Sequence, residues 1–344
     1  MTSPVSNLDL RFAAAALRFG RRHEGLTSPN PCVAAIVVRK TGDAYHVVGR
    51  GVTGPDGRPH AEAQALLQAA AEAVGATLYV TLEPCSHHGM TPPCTDAILS
   101  SGIARVVACT ADPDPRVAGA GFARLKAAGV TVVTPVLEPA ARRFHAGHIA
   151  ARLGLGPHVV LKLAVSSDGM IGLADAGQVA ITGPETWNYV HALRAASDAI
   201  LVGVGTIISD DPSLTCRLPG LAGRSPLRVV LDSGNRLPAN AAILQDQSIA
   251  ETRIFEGRSC EQVLEVLARQ GIQTVMIEGG ARVARAFLKA GLVNACHLIR
   301  SRDSFIGSGG VAAPLELILD ADRFEEIDSR QLGADRLTLL WRKG

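Results

Sequence analysis

Aromatic residues make up only 4% of this 344-residue chain. Its cores must therefore be built from Ala, Val, Leu and Ile, the composition of buried strands alternating with Ala-rich helices. No apolar run approaches the ~20 residues a membrane-crossing helix needs. The first eleven residues contain Asp9 and lack a basic stretch followed by an apolar one, so no secretory signal is read there. Charge of one sign is also missing. A net charge of +2 without a long Lys/Arg run excludes tight non-specific binding to nucleic acid. The seven cysteines are odd in number and scattered, which fits a reducing compartment better than a disulfide framework, and the cytoplasm is the expected location. There is no G-x-G-x-x-G fingerprint, which argues against an ordinary Rossmann dinucleotide site.

With length over about 150 residues as a guide, two domains are expected. The Gly/Pro segment Leu153-Gly154-Leu155-Gly156-Pro157 divides them into 1–152 and 158–344. In the first, the patterning predicts helices at 9–22, 60–73, 95–101, 121–128 and 139–151. Strands are predicted at 33–38, 47–51, 77–81, 105–109 and 131–134, giving an α/β sandwich. In the second, strands at 159–164, 199–203, 228–232 and 274–278 alternate with helices, which implies a mostly parallel sheet covered on its faces.

The most informative feature is His60-Ala61-Glu62, followed downstream by Pro84-Cys85 and Cys94. A neutral imidazole and two thiolates suit a tetrahedral zinc, and three protein ligands leave the fourth position open for water. Zinc acidifies such a water, and Glu62, two residues from His60, is placed to move its proton rather than to bind the metal. The pattern resembles the H-x-E and P-C-x-x-C signature of zinc nucleobase deaminases, except that eight residues separate the two cysteines here. His87 and His88 in that insert are competing ligand candidates, although Gly89, Pro92 and Pro93 allow the loop to fold back and bring the thiols together. A wholly structural zinc site would prefer four protein ligands and has no use for an adjacent unligated carboxylate.

In the second half, Ile277-Glu278-Gly279-Gly280 passes from a strand into a helix beginning at Ala281. This turn reads either as an anion site at a helix start or as a turn that needs glycine for packing. Ligands of parallel sheets sit at strand carboxyl ends, where Lys162, Thr206, Asp210, Asp211, Asp232, Ser233 and Glu278 fall. Arg194 and Arg217 are candidates to clamp a phosphate through paired donors.

Over nearly its whole length the chain resembles the bifunctional deaminase/reductase family of riboflavin biosynthesis. The matching segments include PNPCVA from Pro29, HAE from His60, TLEPCSHHGMTPPC from Thr81 and DPDPRVAGAGF from Asp112. KLAVSSDGMI from Lys162, DDPSLTCR from Asp210, LDSGNR from Leu231 and EGGARVARAFLKAGLV from Glu278 continue the match. The resemblance implies a cytidine-deaminase-like three-layer α/β/α domain followed by a dihydrofolate-reductase-like α/β domain. It implies zinc on His60, Cys85 and Cys94, Glu62 as the catalytic proton shuttle, and NADPH as reductant. The implied substrate is a phosphorylated diamino-ribosylamino-pyrimidinone, first deaminated and then reduced from ribosyl to ribityl. By position, Asn30, Lys162, Gln178, Arg194, Leu214, Arg217 and Glu278 fall on the substrate side. Ala164, Thr206, Asp210, Ser233 and the turn Gly280, Ala281, Arg282, Val283, Ala284, Arg285 and Ala286 fall on the NADPH side. A homodimer or homotetramer is expected.

The departures lie on substrate-facing surfaces. Met90 stands where the family usually has Lys or Arg, Asp114 where Asn is usual and Ser28 where His is usual, and Gln178-Val179-Ala180 replaces a Ser-x-Trp. The stretch after Leu298 lacks the usual Ala-Pro-Lys. Compensation is expected from Arg116 for Met90 and from Arg300 or Arg302 near the reductase site. The alternative is a zinc deaminase of a different amino-heterocycle whose reductase half is impaired or repurposed.

Overall fold

The computed structural model describes residues 4–114, 118–173, 179–245, 247–304 and 309–343, which fall into two compact units, Met1–Leu155 and Gly156–Gly344. No helix among the described residues is long and apolar enough to cross a membrane.

Unit 1 runs α1 (Asn7–Gly20), β1 (Ala34–Thr41), β2 (Ala44–Val52), α2 (Ala61–Ala69), β3 (Thr77–Val80) and α3 (Cys94–Ser100). It continues with β4 (Arg105–Ala108), α4 (Ala120–Ala127), β5 (Thr131–Val133), α5 (Glu138–Phe144) and α6 (Ala146–Arg152). The sheet order is β2-β1-β3-β4-β5, with β1 antiparallel to both neighbours and β3, β4 and β5 parallel. Alternation along the strands sorts the core into two layers. Ala35, Val37, Leu78 and Val80 pack with Ala65, Ile98 and Leu125 of α2, α3 and α4 on one face. Ile36, Val38 and Tyr79 pack with Ala13, Leu17 and Ala141 of α1 and α5 on the other. This is a three-layer α/β/α sandwich.

Two predicted helices are cut short. Helix 60–73 leaves the α conformation after Ala69, and 139–151 breaks at His145. That imidazole is buried and its Nε2 lies 3.2 Å from the Thr81 carbonyl. Burial, together with the neighbouring His148, lowers its pKa to about 3, so it is a neutral pin that re-aims α6.

Behind the sheet, the buried Asp9 carboxylate receives both terminal nitrogens of Arg105 at 2.7 and 2.9 Å, Tyr79 Oη at 3.2 Å, and the Ser6 backbone and hydroxyl. Burial alone would raise the Asp9 pKa, but Arg105 and Ser6 outweigh it and hold the carboxyl well below its usual range. A carboxyl depressed in the folded state contributes stability at pH values above its unfolded pKa and loses it as the solution is acidified through its folded pKa. Removing one partner of a buried pair costs about 3–5 kcal/mol. Calorimetry of Arg105→Ala should therefore show a unit 1 transition roughly 10 °C lower, with the unit 2 transition in place.

Unit 2 runs β6 (His158–Val165), β7 (Met170–Leu173), α7 (Pro184–Ala195), β8 (Ala199–Gly203), α8 (Val204–Asp210), β9 (Leu227–Leu231), α9 (Ala242–Gln245) and β10 (Thr252–Phe255). It continues with α10 (Cys260–Arg269), β11 (Thr274–Ile277), α11 (Ala281–Lys289), β12 (Ala295–Arg300), β13 (Gly310–Ala312), α12 (Leu315–Ile318), β14 (Phe324–Leu332) and β15 (Asp335–Arg342). Its eight-stranded sheet, β10-β9-β8-β11-β6-β12-β15-β14, is parallel from β10 to β12 and ends in an antiparallel hairpin. The central parallel strands β8 and β11 are apolar and buried almost throughout, as covered strands must be, and β9 adds the buried Arg228. Their carboxyl ends open together onto one cavity.

Candidate active sites

In unit 1, three loops converge on His60. The ring belongs to the N-cap residue of α2, and Cys94 is the first residue of α3. His60 Nδ1 lies 3.2 Å from Cys94 Sγ and 3.8 Å from Cys85 Sγ, and one ligand atom from each of the three lies within 4.8 Å of the others. Cys85 Sγ also accepts the Cys94 backbone N–H at 3.2 Å. The hydrogen bond from Cys94 lowers the Cys85 pKa to about 4, whereas Cys94, the donor, is driven upward. His60 is raised, chiefly by its contact with Cys85. One nitrogen and two sulfur donors at this spacing are the soft, tetrahedral set that zinc prefers, so the residues fit the metal. Of the competing histidines, His88 is exposed near Asp96, and His87 lines the pocket without joining the cluster.

Glu62 is 3% exposed and lies on the inner face of α2, beside the thiols. Burial first, and then the negative charge of Cys85, raise its pKa to about 7. The hollow in front of it has a volume of about 120 Å³ and is walled by Asn30, Arg58, Glu83, Asp112, Asp114, His148 and Arg152, among others. Asn30 is brought in by Gly57, whose carbonyl accepts its Nδ2 at 3.3 Å; a Cβ on Gly57 would meet that nitrogen at 2.1 Å. Glu83, beside Cys85 in sequence, accepts backbone N–H groups from Asp112, Gly119, Gly121 and Phe122 at 2.9–3.3 Å. It thereby fixes the loop that carries Asp112 and Asp114.

The break at His145 points α6 at the same hollow. His148 Nε2 lies 3.5 Å from Asp112 Oδ1, and one turn later Arg152 Nε lies 3.9 Å from Asp114 Oδ2. Both ring nitrogens of His148 are buried with no hydrogen-bond partner among the described residues. The carboxylate at 114 is thus faced by a cation from the far end of the unit. Sequence reasoning missed Glu83, His148 and Arg152, and Arg58 as well. Only Arg58, adjacent to Pro59-His60, carried a local signal. Arg116 lies outside the described residues.

In unit 2 the cavity at the strand ends measures about 880 Å³. Lys162, Ala164, Arg194, Thr206, Asp210, Leu214, Arg217, Ser233 and Glu278 all line it, as do Gly280, Ala281, Arg282, Val283 and Ala286. Two expected residues do not. Ala284 is fully buried in the core, and Arg285 turns outward to pair with Glu316, because only one face of a helix can meet a cavity. Gln178 lies outside the described residues. Val179 and Ala180 line the cavity, and Trp187 of α7 supplies an aromatic wall from another element. Arg300 and Arg302 do not line it.

Arg194 is no free phosphate clamp. It meets Glu278 Oε2 at 2.9 Å and the Thr215 carbonyl at 2.9 Å, while Lys162 Nζ lies 3.5 Å from Glu278 Oε1. Burial would raise the Glu278 pKa, yet Lys162 and Arg194 bring it below the usual value. Arg217 is exposed and braced by Ser213 at 2.8 Å. Leu214 has a left-handed φ of 54°, local strain of the kind kept at binding sites. On the opposite wall Thr206 Oγ1 accepts the Gly280 N–H at 3.2 Å, and Asp232 Oδ2 accepts Arg236 N and Leu237 N at 2.7 and 2.8 Å. Arg236, Arg258 and Arg282 add positive charge there. The volume lies within the roughly 300–1,000 Å³ of cofactor pockets, and these arginines suit the phosphates of a dinucleotide. NADPH fits the residues present.

Comparison with known proteins agrees with both halves. Residues 6–110 match the cytidine and deoxycytidylate deaminase zinc-binding region, and residues 157–335 match the RibD C-terminal domain. The riboflavin biosynthesis protein RibD of Bacillus amyloliquefaciens is 37% identical, over 96% of this chain and 95% of its own. The solved structure of Acinetobacter baumannii RibD superposes with a TM-score of 0.84 at 34% identity, covering 98% of this chain and 99% of that one. A diaminohydroxyphosphoribosylaminopyrimidine deaminase/5-amino-6-(5-phosphoribosylamino)uracil reductase from Thermotoga maritima gives 0.86 at 30% identity, with the same coverage.

Proposed function

The chain belongs to the RibD family of riboflavin biosynthesis, bifunctional enzymes that use zinc in a deaminase half and NADPH in a reductase half, and from that premise we propose how its residues divide the work. Residues 1–152 carry the deaminase and 158–344 the reductase. The substrate is 2,5-diamino-6-(5-phosphoribosylamino)pyrimidin-4(3H)-one, which loses its 2-amino group before its ribosyl arm is reduced to ribityl. The observation that carries this reading is the buried, unligated Glu62 beside the His60, Cys85 and Cys94 donor set.

His60, Cys85 and Cys94 would hold zinc, which when bound would supply Lewis-acid activation of a water. Glu62, buried beside the donor set, would take a proton from the attacking water on a carboxylate oxygen and deliver it to the leaving amino group. Asn30 offers its amide to the pyrimidine edge, and the small hollow keeps bulk water away from the ring.

In the second half, bound NADPH supplies the hydride. Lys162, Arg194, Leu214, Arg217 and Glu278 form the substrate wall. Ala164, Thr206, Asp210, Ser233 and the cavity face of the 280–286 turn form the cofactor wall. Glu278 holds the two cations in register, and Lys162 is the side chain able to give a proton as the sugar carbonyl is reduced. Glu278→Gln should lower NADPH oxidation with the deaminated pyrimidine about 10- to 100-fold. NADPH affinity, read by fluorescence titration, should stay within about twofold of wild type if Glu278 serves the substrate wall.

The working form is a homodimer or homotetramer in the cytoplasm. Mass spectrometry tests the functional reading. With zinc-loaded protein and no NADPH, the diamino compound should exchange its amino group for oxygen, and NADPH should then add two hydrogens. Recovery of unchanged diamino compound would refute the deaminase assignment. Trp187 and the arginines lining the unit 2 cavity support the NADPH-dependent reading of the reductase half over a repurposed one.

A further inference from the structure

Two arginines line the hollow that holds Glu62, and one of them already has its charge answered. Arg152 faces Asp114 at 3.9 Å. Arg58, in the segment leading into α2, has no carboxylate at ion-pair distance among the described residues. Its Nη1 donates to Thr91 Oγ1 at 2.7 Å, and its Nη2 lies 3.9 Å from where a Cβ on Gly89 would stand. The guanidinium is therefore laid against the 89–91 loop at the mouth of the hollow, with most of its donors open. Met90, at the centre of that loop, is 88% exposed and is not part of the lining.

At about 120 Å³, the hollow falls short of the roughly 300 Å³ needed to enclose a whole drug-sized ligand. It can take the pyrimidine ring, while a ribosyl phosphate arm must run out through the mouth. The first described cation with unanswered charge on that path is Arg58. Its planar fork matches a phosphate through paired donors, and the Thr91 contact holds it in place, so less side-chain freedom is lost on binding.

We propose that Arg58 is the specificity-determining residue of the deaminase half, binding the phosphate of the substrate arm. The proposal rests on the deaminase reading above. It places the phosphate-selective cation on the strand-to-helix segment before His60 rather than on the loop between the cysteines, where Met90 offers none.

The test compares kcat/KM for ammonia release from the phosphorylated diamino compound and from the same compound with its phosphate removed. Wild type, Arg58→Gln and Arg58→Lys are used as full-length, zinc-loaded proteins, with zinc content measured for each. Wild type should prefer the phosphorylated compound. Arg58→Gln should reduce that preference about 30-fold, mainly through KM, Arg58→Lys should keep part of it, and zinc content should stay constant. Inorganic phosphate should inhibit wild type competitively and Arg58→Gln much less. An unchanged preference, including the case in which both compounds lose activity in the same proportion, would overturn the proposal and reduce Arg58 to a brace for the loop. Wild type that deaminates neither compound refutes the deaminase reading itself, which the preference ratio alone cannot do.

Discussion

Glu62→Gln should release ammonia at least about a thousandfold more slowly than wild type while binding zinc to the same stoichiometry. General acid–base groups contribute typically 10²–10⁴ in rate, and Glu62 is the buried carboxyl beside the thiols, in contact with Cys94. It is 3% exposed, and its pKa is raised to about 7 by burial and by Cys85. Glutamine keeps its size but cannot take a proton from water, so the effect belongs in kcat with KM little moved. Zinc content by elemental analysis, paired with steady-state ammonia release, checks both halves of this expectation. A variant within tenfold of wild type would show that another group carries the proton.

Cys94→Ala should abolish zinc binding and ammonia release together, and leave NADPH oxidation with the deaminated pyrimidine intact. Cys94 begins α3 and is 4% exposed. Losing it leaves two protein ligands, too few for a stable zinc site of this type. Its backbone N–H still reaches Cys85 Sγ, so the loop has reason to stay in place. The reductase cavity is built wholly from residues beyond Gly156. If reduction falls along with deamination, the two halves do not work as independently folded sites.

The metal set could be read from sequence because two of its three ligands sit at helix starts, where local pattern fixes their position, and Cys85 follows directly on Glu83-Pro84 in the loop after β3. His60 caps α2, Cys94 opens α3, and the insert between the cysteines folds back on glycine and proline. The α/β class of both units was legible for a related reason. Short β-branched runs alternating with Ala-rich helices permit few arrangements, and both α/β folds appear as expected. Element ends were less legible, as with the 139–151 helix, which breaks because His145 is pinned to a carbonyl far away in sequence.

That break has consequences for the site. It sends His148 and Arg152 into the deaminase hollow, so the carboxylate of Asp114, which looked like a handicap for an anionic substrate, already faces an arginine. No local pattern could have paired α6 with the Asp112 loop, because Glu83, far away in sequence, holds that loop through four backbone groups. In the reductase half the expected 280–286 stretch is the start of α11, and only part of it lines the cavity. A helix shows one face to a cavity, so Arg285 goes to Glu316 and Ala284 to the core. Arg194, a candidate phosphate clamp, lines the cavity with its guanidinium paired to Glu278. Whether a buried arginine binds a ligand or a neighbouring carboxylate depends on which strand ends the sheet brings together, and that is a tertiary fact.

The most direct test of a single chain running both reactions is the stoichiometry of ammonia released to NADPH oxidised when zinc-loaded protein is given the phosphorylated diamino compound. Equal amounts are predicted, with both signals lost in Glu62→Gln and NADPH oxidation restored in that variant by adding the deaminated pyrimidine. Ammonia released with no NADPH consumed would contradict the account.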